Sequence, residues 1–128
     1  MRRCVLNPSV SPCAEAIGGA RRTVRSCAAK LGVVNPDGLA VAVSEALTNA
    51  ILHAYVGLAP QDVDVRVDLT ADAVVVVVGD RGRGMQPRSD SPGIGLGLPL
   101  IASLSQRFDV AARPGGGTNL TLWFARSA

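Results

Sequence analysis

Ser44-Glu45-Ala46-Leu47-Thr48-Asn49-Ala50-Ile51-Leu52-His53-Ala54-Tyr55 carries two patterns at once. Leu39, Val43, Ala46, Leu47, Ala50, Ile51 and Ala54 recur at spacings of three and four, which predicts the inward stripe of a helix over residues 39–55. Glu45, Asn49 and His53 recur every fourth residue. Each step turns about 400°, so the three form a slowly drifting row on one side of that helix. Packing does not require such a row. A carboxylate and a carboxamide one turn apart set a proton acceptor beside a hard oxygen ligand, a pairing that suits Mg²⁺ and the activation of a hydroxyl nucleophile. Read alone, the row also fits an exposed helix face.

Upstream, residues 12–31 place Ala14, Ile17, Ala20, Val24, Cys27, Ala28 and Leu31 on one stripe, and Arg21, Arg22, Arg25 and Lys30 on the other face. This is an amphipathic helix with a basic side, which reads as a solvated face or as a surface for an acidic partner. Gly32-Val33-Val34-Asn35-Pro36-Asp37-Gly38 punctuates the chain between the two helices. Downstream, Gly57 and Pro60 close the second helix, and Val63, Val65, Val67 and Leu69 alternate with Asp64, Arg66 and Asp68 as in a half-buried strand. Ala73-Val74-Val75-Val76-Val77-Val78-Gly79 reads as a central strand covered on both faces. A short helix is expected over residues 98–105, and two last strands near 108–113 and 118–125. The order predicts a single α+β domain over residues 1–128. It is a two-layer α/β sandwich with a mixed, mainly antiparallel sheet and helices on one face.

Three further constellations stand around that sheet. Asp80-Arg81-Gly82-Arg83-Gly84-Met85 follows the valine run directly. A carboxylate at the end of a strand sits where ligands of α/β sheets collect, and it accepts a hydrogen bond from an exocyclic amine while rejecting a carbonyl. Gly82 and Gly84 permit close approach of a flat ligand. Gly93-Ile94-Gly95-Leu96-Gly97-Leu98 then leads into the short helix with unpaired N–H groups at its positive end, an anion site by construction. It is not a Walker loop, because the only lysine is Lys30. Gly115-Gly116-Gly117-Thr118 supplies the last turn.

In this order and spacing the four signals resemble the GHKL superfamily of ATP-binding domains. The likeness runs from about Ala40 to Trp123, and the helix motif resembles the version found in bacterial anti-sigma factor serine kinases. The resemblance implies the Bergerat ATP-binding fold and binding of ATP with Mg²⁺. It implies Glu45 as the catalytic base and Asn49 as the Mg²⁺ ligand, with His53 closing the helix end near the phosphates. Asp80 would receive the adenine amino group, with Gly82, Gly84, Met85 and Thr118 around it. Residues 86–97 would form the lid, with Gly93, Ile94, Gly95, Leu96, Gly97 and Leu98 as hinge and phosphate cradle. Where several relatives carry a lid arginine, this chain has Ser91-Pro92. Implied partners are a sigma factor and a small anti-sigma antagonist phosphorylated on serine or threonine, and a homodimer is expected. The alternatives are an ATP-binding switch that sequesters a partner without phosphorylating it, and an orphan catalytic domain of a histidine kinase.

Composition bounds the rest. In 128 residues 48% are apolar and 18% charged, enough to bury a core. A net charge of +3 with four aromatic residues offers no stacking platform for single-stranded nucleic acid. The unbroken apolar run over residues 73–78 falls far short of the roughly 20 residues that span a bilayer. Pro8 and Ser9 interrupt what would otherwise look like a signal sequence. No direct nucleic-acid or membrane contact is expected, and a cytoplasmic protein is. Cys4, Cys13 and Cys27 form no metal spacing with the single His53, and reduced thiols are expected.

Overall fold

The five-valine run becomes the middle of the molecule. The computed structural model describes residues 2–52, 59–82 and 98–127. Its elements are β1 (Arg3–Leu6), β2 (Ser9–Val10), α1 (Ala14–Lys30), α2 (Pro36–Leu52), β3 (Val63–Leu69), β4 (Ala73–Asp80), α3 (Leu98–Leu104), β5 (Arg107–Ala112) and β6 (Thr118–Ala125). The strands form one sheet in the order β1-β3-β4-β6-β5, with β2 also on β3, and every recorded pairing is antiparallel. Both β4 and β5 run antiparallel to β6 and so parallel to each other, which makes the segment through α3 a crossover that leaves from the Asp80 end of β4. Valine-rich sequence suits such a position because β-branched side chains pack well on a pleated surface covered by neighbours.

On the helix side, Val74, Val76 and Val78 join Leu120, Leu122 and Phe124 of β6 and the buried stripe of α2 in one core. The inward residues predicted for α2 are buried throughout its described length. In α1 the burial is complete only at Val24 and Ala28, and Ala14, expected inside, is exposed. It stands at the first position of the helix.

Among the described residues the other face of the sheet has no helical layer, yet Val75 is fully buried. Its register neighbours explain this: Asp68 on β3 and Trp123 on β6 flank it. Asp68, expected as a solvent-facing residue of an alternating strand, is only 1% exposed. Arg2 and Arg66 both donate to its carboxylate, at 2.6 and 2.7 Å. Arg107 lies over the Trp123 ring, 4.3 Å from its centroid. Arginine stems and planar guanidinium groups thus roof the outer face where a second layer of helices would otherwise be needed.

Two further departures have local causes. The sheet begins before the helices, because β1 and β2 pair along β3, whereas the sequence pattern placed all strands after them. These strands have four and two residues, too few to display a period. The second helix starts at Pro36, not Leu39. Proline suits a first helical position, and the Asn35 side-chain oxygen accepts the Gly38 N–H at 3.0 Å, so the segment read as punctuation is a helix cap. Gly38 is needed there because a Cβ would run into the Asn35 amide.

Candidate functional site

Among the described residues only four polar or charged side chains are fully buried: Asn49, Asp68, Asp80 and Thr118. Asp68 belongs to the outer face. The other three belong to the helix side of the sheet or to the helix that packs on it. Alternation along β4 turns Asp80 to the same side as Val74, Val76 and Val78, and Thr118 stands directly opposite it on β6. The two open the ends of their strands at the place where the crossover leaves the sheet.

Asp80 is 3% exposed. Its Oδ1 accepts the Gly82 N–H at 2.9 Å, a tight turn that folds the chain back over the strand end. Burial pushes its carboxyl above the usual carboxylate range, while the amides of Gly82 and Thr118 and the charge of Arg113 oppose that rise. A buried carboxylate with lone pairs to spare and no direct cation on it is an acceptor waiting for a donor. Gly117 makes the closeness of β6 possible. Its φ is +102°, and a Cβ would collide with the Asp80 carbonyl oxygen and come within 2.7 Å of the Arg81 Cα.

Asn49 is 4% exposed, and its Nδ2 is buried with no hydrogen-bond partner among the described residues. Such an orphan donor is uncommon in a packed interior. Glu45 stands one turn earlier on α2 and is half-buried, so the predicted row is not a plain solvent face. Leu98 opens α3 and is half-buried. His53, Gly84, Met85, Gly93, Ile94, Gly95, Leu96 and Gly97 lie outside the described residues, as does the expected lid. The structure therefore pairs Asp80 with Gly82 and Thr118, and sets Glu45 and Asn49 on the helix that covers that face.

The residues present fit a purine nucleotide with a magnesium ion. The buried Asp80 acceptor suits an exocyclic amine, and the orphaned Asn49 Nδ2, a donor, suits an oxygen of an oxygen-rich ligand. No group of three or more His, Cys, Asp or Glu side chains that could hold a metal by itself occurs among the described residues. Any divalent ion here would therefore share its coordination with ligand oxygens, as magnesium does with phosphates. Cys4 and Cys13 are exposed and Cys27 half-buried, all as free thiols. No helix among the described residues is long and apolar enough to cross a membrane.

Periodicity missed one group beside this site. Arg113, just before the glycine turn, donates to Asp64 of β3 at 2.5 Å, and Arg81 donates to the same carboxylate oxygen at 3.0 Å. The signal available in sequence was weak: an arginine before Pro-Gly-Gly-Gly and a glycine ending the valine run.

The chain belongs to the histidine kinase-like ATPase domains, whose sequence pattern it matches over residues 10–124. It is similar to the serine-protein kinase RsbW of Bacillus licheniformis, with 31% identity over 129 residues, 88% of this chain and 81% of that protein. The RsbW serine-protein kinase of Bacillus velezensis is 31% identical over 118 residues, 79% of this chain and 74% of that protein. An anti-sigma F factor of Caldanaerobacter subterraneus subsp. tengcongensis is 30% identical over 115 residues, 77% of this chain and 78% of that protein.

Proposed function

We propose that this protein is an anti-sigma factor that uses ATP and Mg²⁺ to phosphorylate a serine or threonine of a small antagonist protein in the cytoplasm. The family and the names of its relatives support the reading. The observation that carries it is the buried Asp80, satisfied by amides on one side and left with acceptor capacity toward the helix layer. Asp80 accepts the purine amino group, and Thr118 shares that polar corner. Asn49 offers its amide oxygen to the magnesium ion, which would neutralise phosphate charge when bound. Glu45, one turn away, takes the proton from the attacking hydroxyl. Phosphoryl transfer asks mainly for positioning and charge neutralisation, so this short list of groups suffices. The reading includes His53 near the phosphates, residues 93–98 as their cradle, and a homodimer as the assembly.

The test is transfer of label from γ-labelled ATP with Mg²⁺ to candidate antagonist proteins of the same genome. Label is expected on a partner serine or threonine, and Glu45→Ala is expected to abolish it while ATP still binds. Transfer that survives Glu45→Ala removes that residue from its role. ATP binding without transfer to any candidate leaves a binding switch in place of a kinase.

A further inference from the structure

The outer face of the sheet, turned away from the helices, is crossed by rows of register neighbours. Arg66, Val77, Thr121 and Asp109 stand in one row, and Asp68, Val75, Trp123 and Arg107 in the next. Each row is uncharged in the middle and oppositely charged at its ends, with the signs exchanged between the two rows. One row further, toward the Asp80 end, the Arg113 guanidinium lies against Gly79, where a Cβ would stand 2.8 Å from its Nη1. Val77, Thr121 and Trp123 are only half-buried.

The ion pairs on this face leave a remainder. Arg2 and Arg66 share the one carboxylate of Asp68, so the β3 flank keeps a positive charge in excess. On the edge strand β5, Arg107 is drawn over the Trp123 ring, while Asp109 is exposed and forms no ion pair among the described residues. An unbalanced base and an unpaired acid thus flank one half-covered strip.

We propose that a second copy of this chain packs on this face, sheet to sheet, about a two-fold axis that runs along the strands between β4 and β6. The proposal rests on the homodimer included in the reading above and says which surface forms it. Such an axis keeps each row at its own height and exchanges its two ends, as a self-complementary interface requires. It lays β5 of one copy over β3 of the other, and β4 over β6. Arg66 then meets the second copy's Asp109, and the symmetry makes that contact twice, once at each flank. Between the flanks Trp123 meets the second copy's Val75, and Val77 its Thr121, so a wide residue falls on a narrow one. Sheets packed face to face in this aligned way lie about 10 Å apart, a gap that long side chains from both surfaces fill. A two-fold axis across the strands also exchanges the signs, but it sets each β3 flank, with its excess positive charge, on its own counterpart. Like charges placed opposite each other oppose that docking, so the charges select the axis along the strands.

Trp123 is the only tryptophan and stands inside the proposed contact, so its emission is followed together with sedimentation velocity through a dilution series of the full chain. The wild type is expected to dissociate on dilution with a red shift of that emission. Asp109→Arg and Arg66→Glu are each expected to weaken association by about tenfold or more, because each sets like charges together at both flanks. Mixed in equal amounts, the two variants are expected to associate as tightly as the wild type. Their mixed dimer keeps one native contact and carries the other with its charges exchanged. If Arg66→Glu does not fold for want of the Asp68 bond, Asp109→Arg carries the test alone. A dimer that Asp109→Arg leaves intact overturns this interface and keeps the homodimer, whereas a wild type monomeric at every concentration overturns both. Rescue of Asp109→Arg by Arg107→Glu in place of Arg66→Glu overturns the axis and with it the proposal. ATP binding is expected to be unchanged in Asp109→Arg, and a wild type that binds no ATP overturns the nucleotide reading without touching the interface.

Discussion

In the proposed reading, Asp80 works against the fold and for the ligand. Burial raises its carboxyl above the usual range, so ionising it costs the folded chain more than the unfolded one. The sign of the linkage follows: above its unfolded pKa the ionised group lowers stability, and that loss is recovered as pH falls through the raised folded value. Asp80→Asn keeps an acceptor for the Gly82 N–H but removes the charge. The ligand-free variant is expected to melt at or above the wild-type temperature at pH 7, with the difference closing toward pH 4. Its ATP affinity is expected to fall by about 1–3 kcal/mol, the scale of a lost charged hydrogen bond. Calorimetric melting and titration with ATP check both halves, and a variant both less stable and equally tight would refute the assignment.

At the scale of the element, β3 is the strand whose two faces do different work. Val63, Val65 and Val67 face the core, while Asp64, Arg66 and Asp68 organise the open side of the sheet. Burial pushes the Asp68 carboxyl up, but hydrogen bonds from Arg66 and Arg2 outweigh it and hold the group below the usual range. A depressed acid stabilises the fold above its unfolded pKa, and that contribution is lost as pH falls through the folded value. Asp68→Asn is therefore expected to lose about 1 kcal/mol at pH 7, a modest figure because both guanidinium groups are half-exposed and screened. Urea unfolding at pH 7 and near pH 2 checks it: the loss should vanish at the acid end. The same pair explains why β1 escaped the sequence pattern. Arg3-Cys4-Val5-Leu6 has no readable alternation, and Arg2 ties its start to Asp68, 66 positions further along the chain.

Across the whole molecule, the two ends of the central strands have different tasks. The Asp80–Thr118 end carries the proposed site, and the Ala73–Ala125 end carries the closure of the chain. There Arg126 donates through Nε to the Leu31 carbonyl after α1, at 2.9 Å, and through Nη1 to the Thr70 carbonyl in the β3–β4 turn, at 2.8 Å. Ser127 N–H and the Gly32 carbonyl add a bond of 2.8 Å. One side chain thus joins the helix layer to both strands of the sheet centre. Arg126→Met is expected to lower unfolding free energy by about 1–3 kcal/mol through carbonyls left without donors. ATP affinity should stay unchanged because the clasp lies at the far end of β4. Denaturant unfolding and nucleotide titration on the same preparation separate the two effects, and a loss of affinity would show that the ends are coupled.

Local chemistry was enough for the periodic parts. The stripes of α1 and α2, the alternation of β3 and the valine run of β4 state their conformations because period and propensity are properties of neighbouring residues. The carboxylate at the strand end and the polar row of α2 were legible for the same reason. Only the folded chain decided that Asn49 lacks a partner, that Thr118 stands opposite Asp80, and that Asp68 is buried under arginines. Only the folded chain set Arg113 against Gly79. Those facts depend on pairing between segments far apart in the chain, and burial, register and electrostatic field exist only once the segments meet.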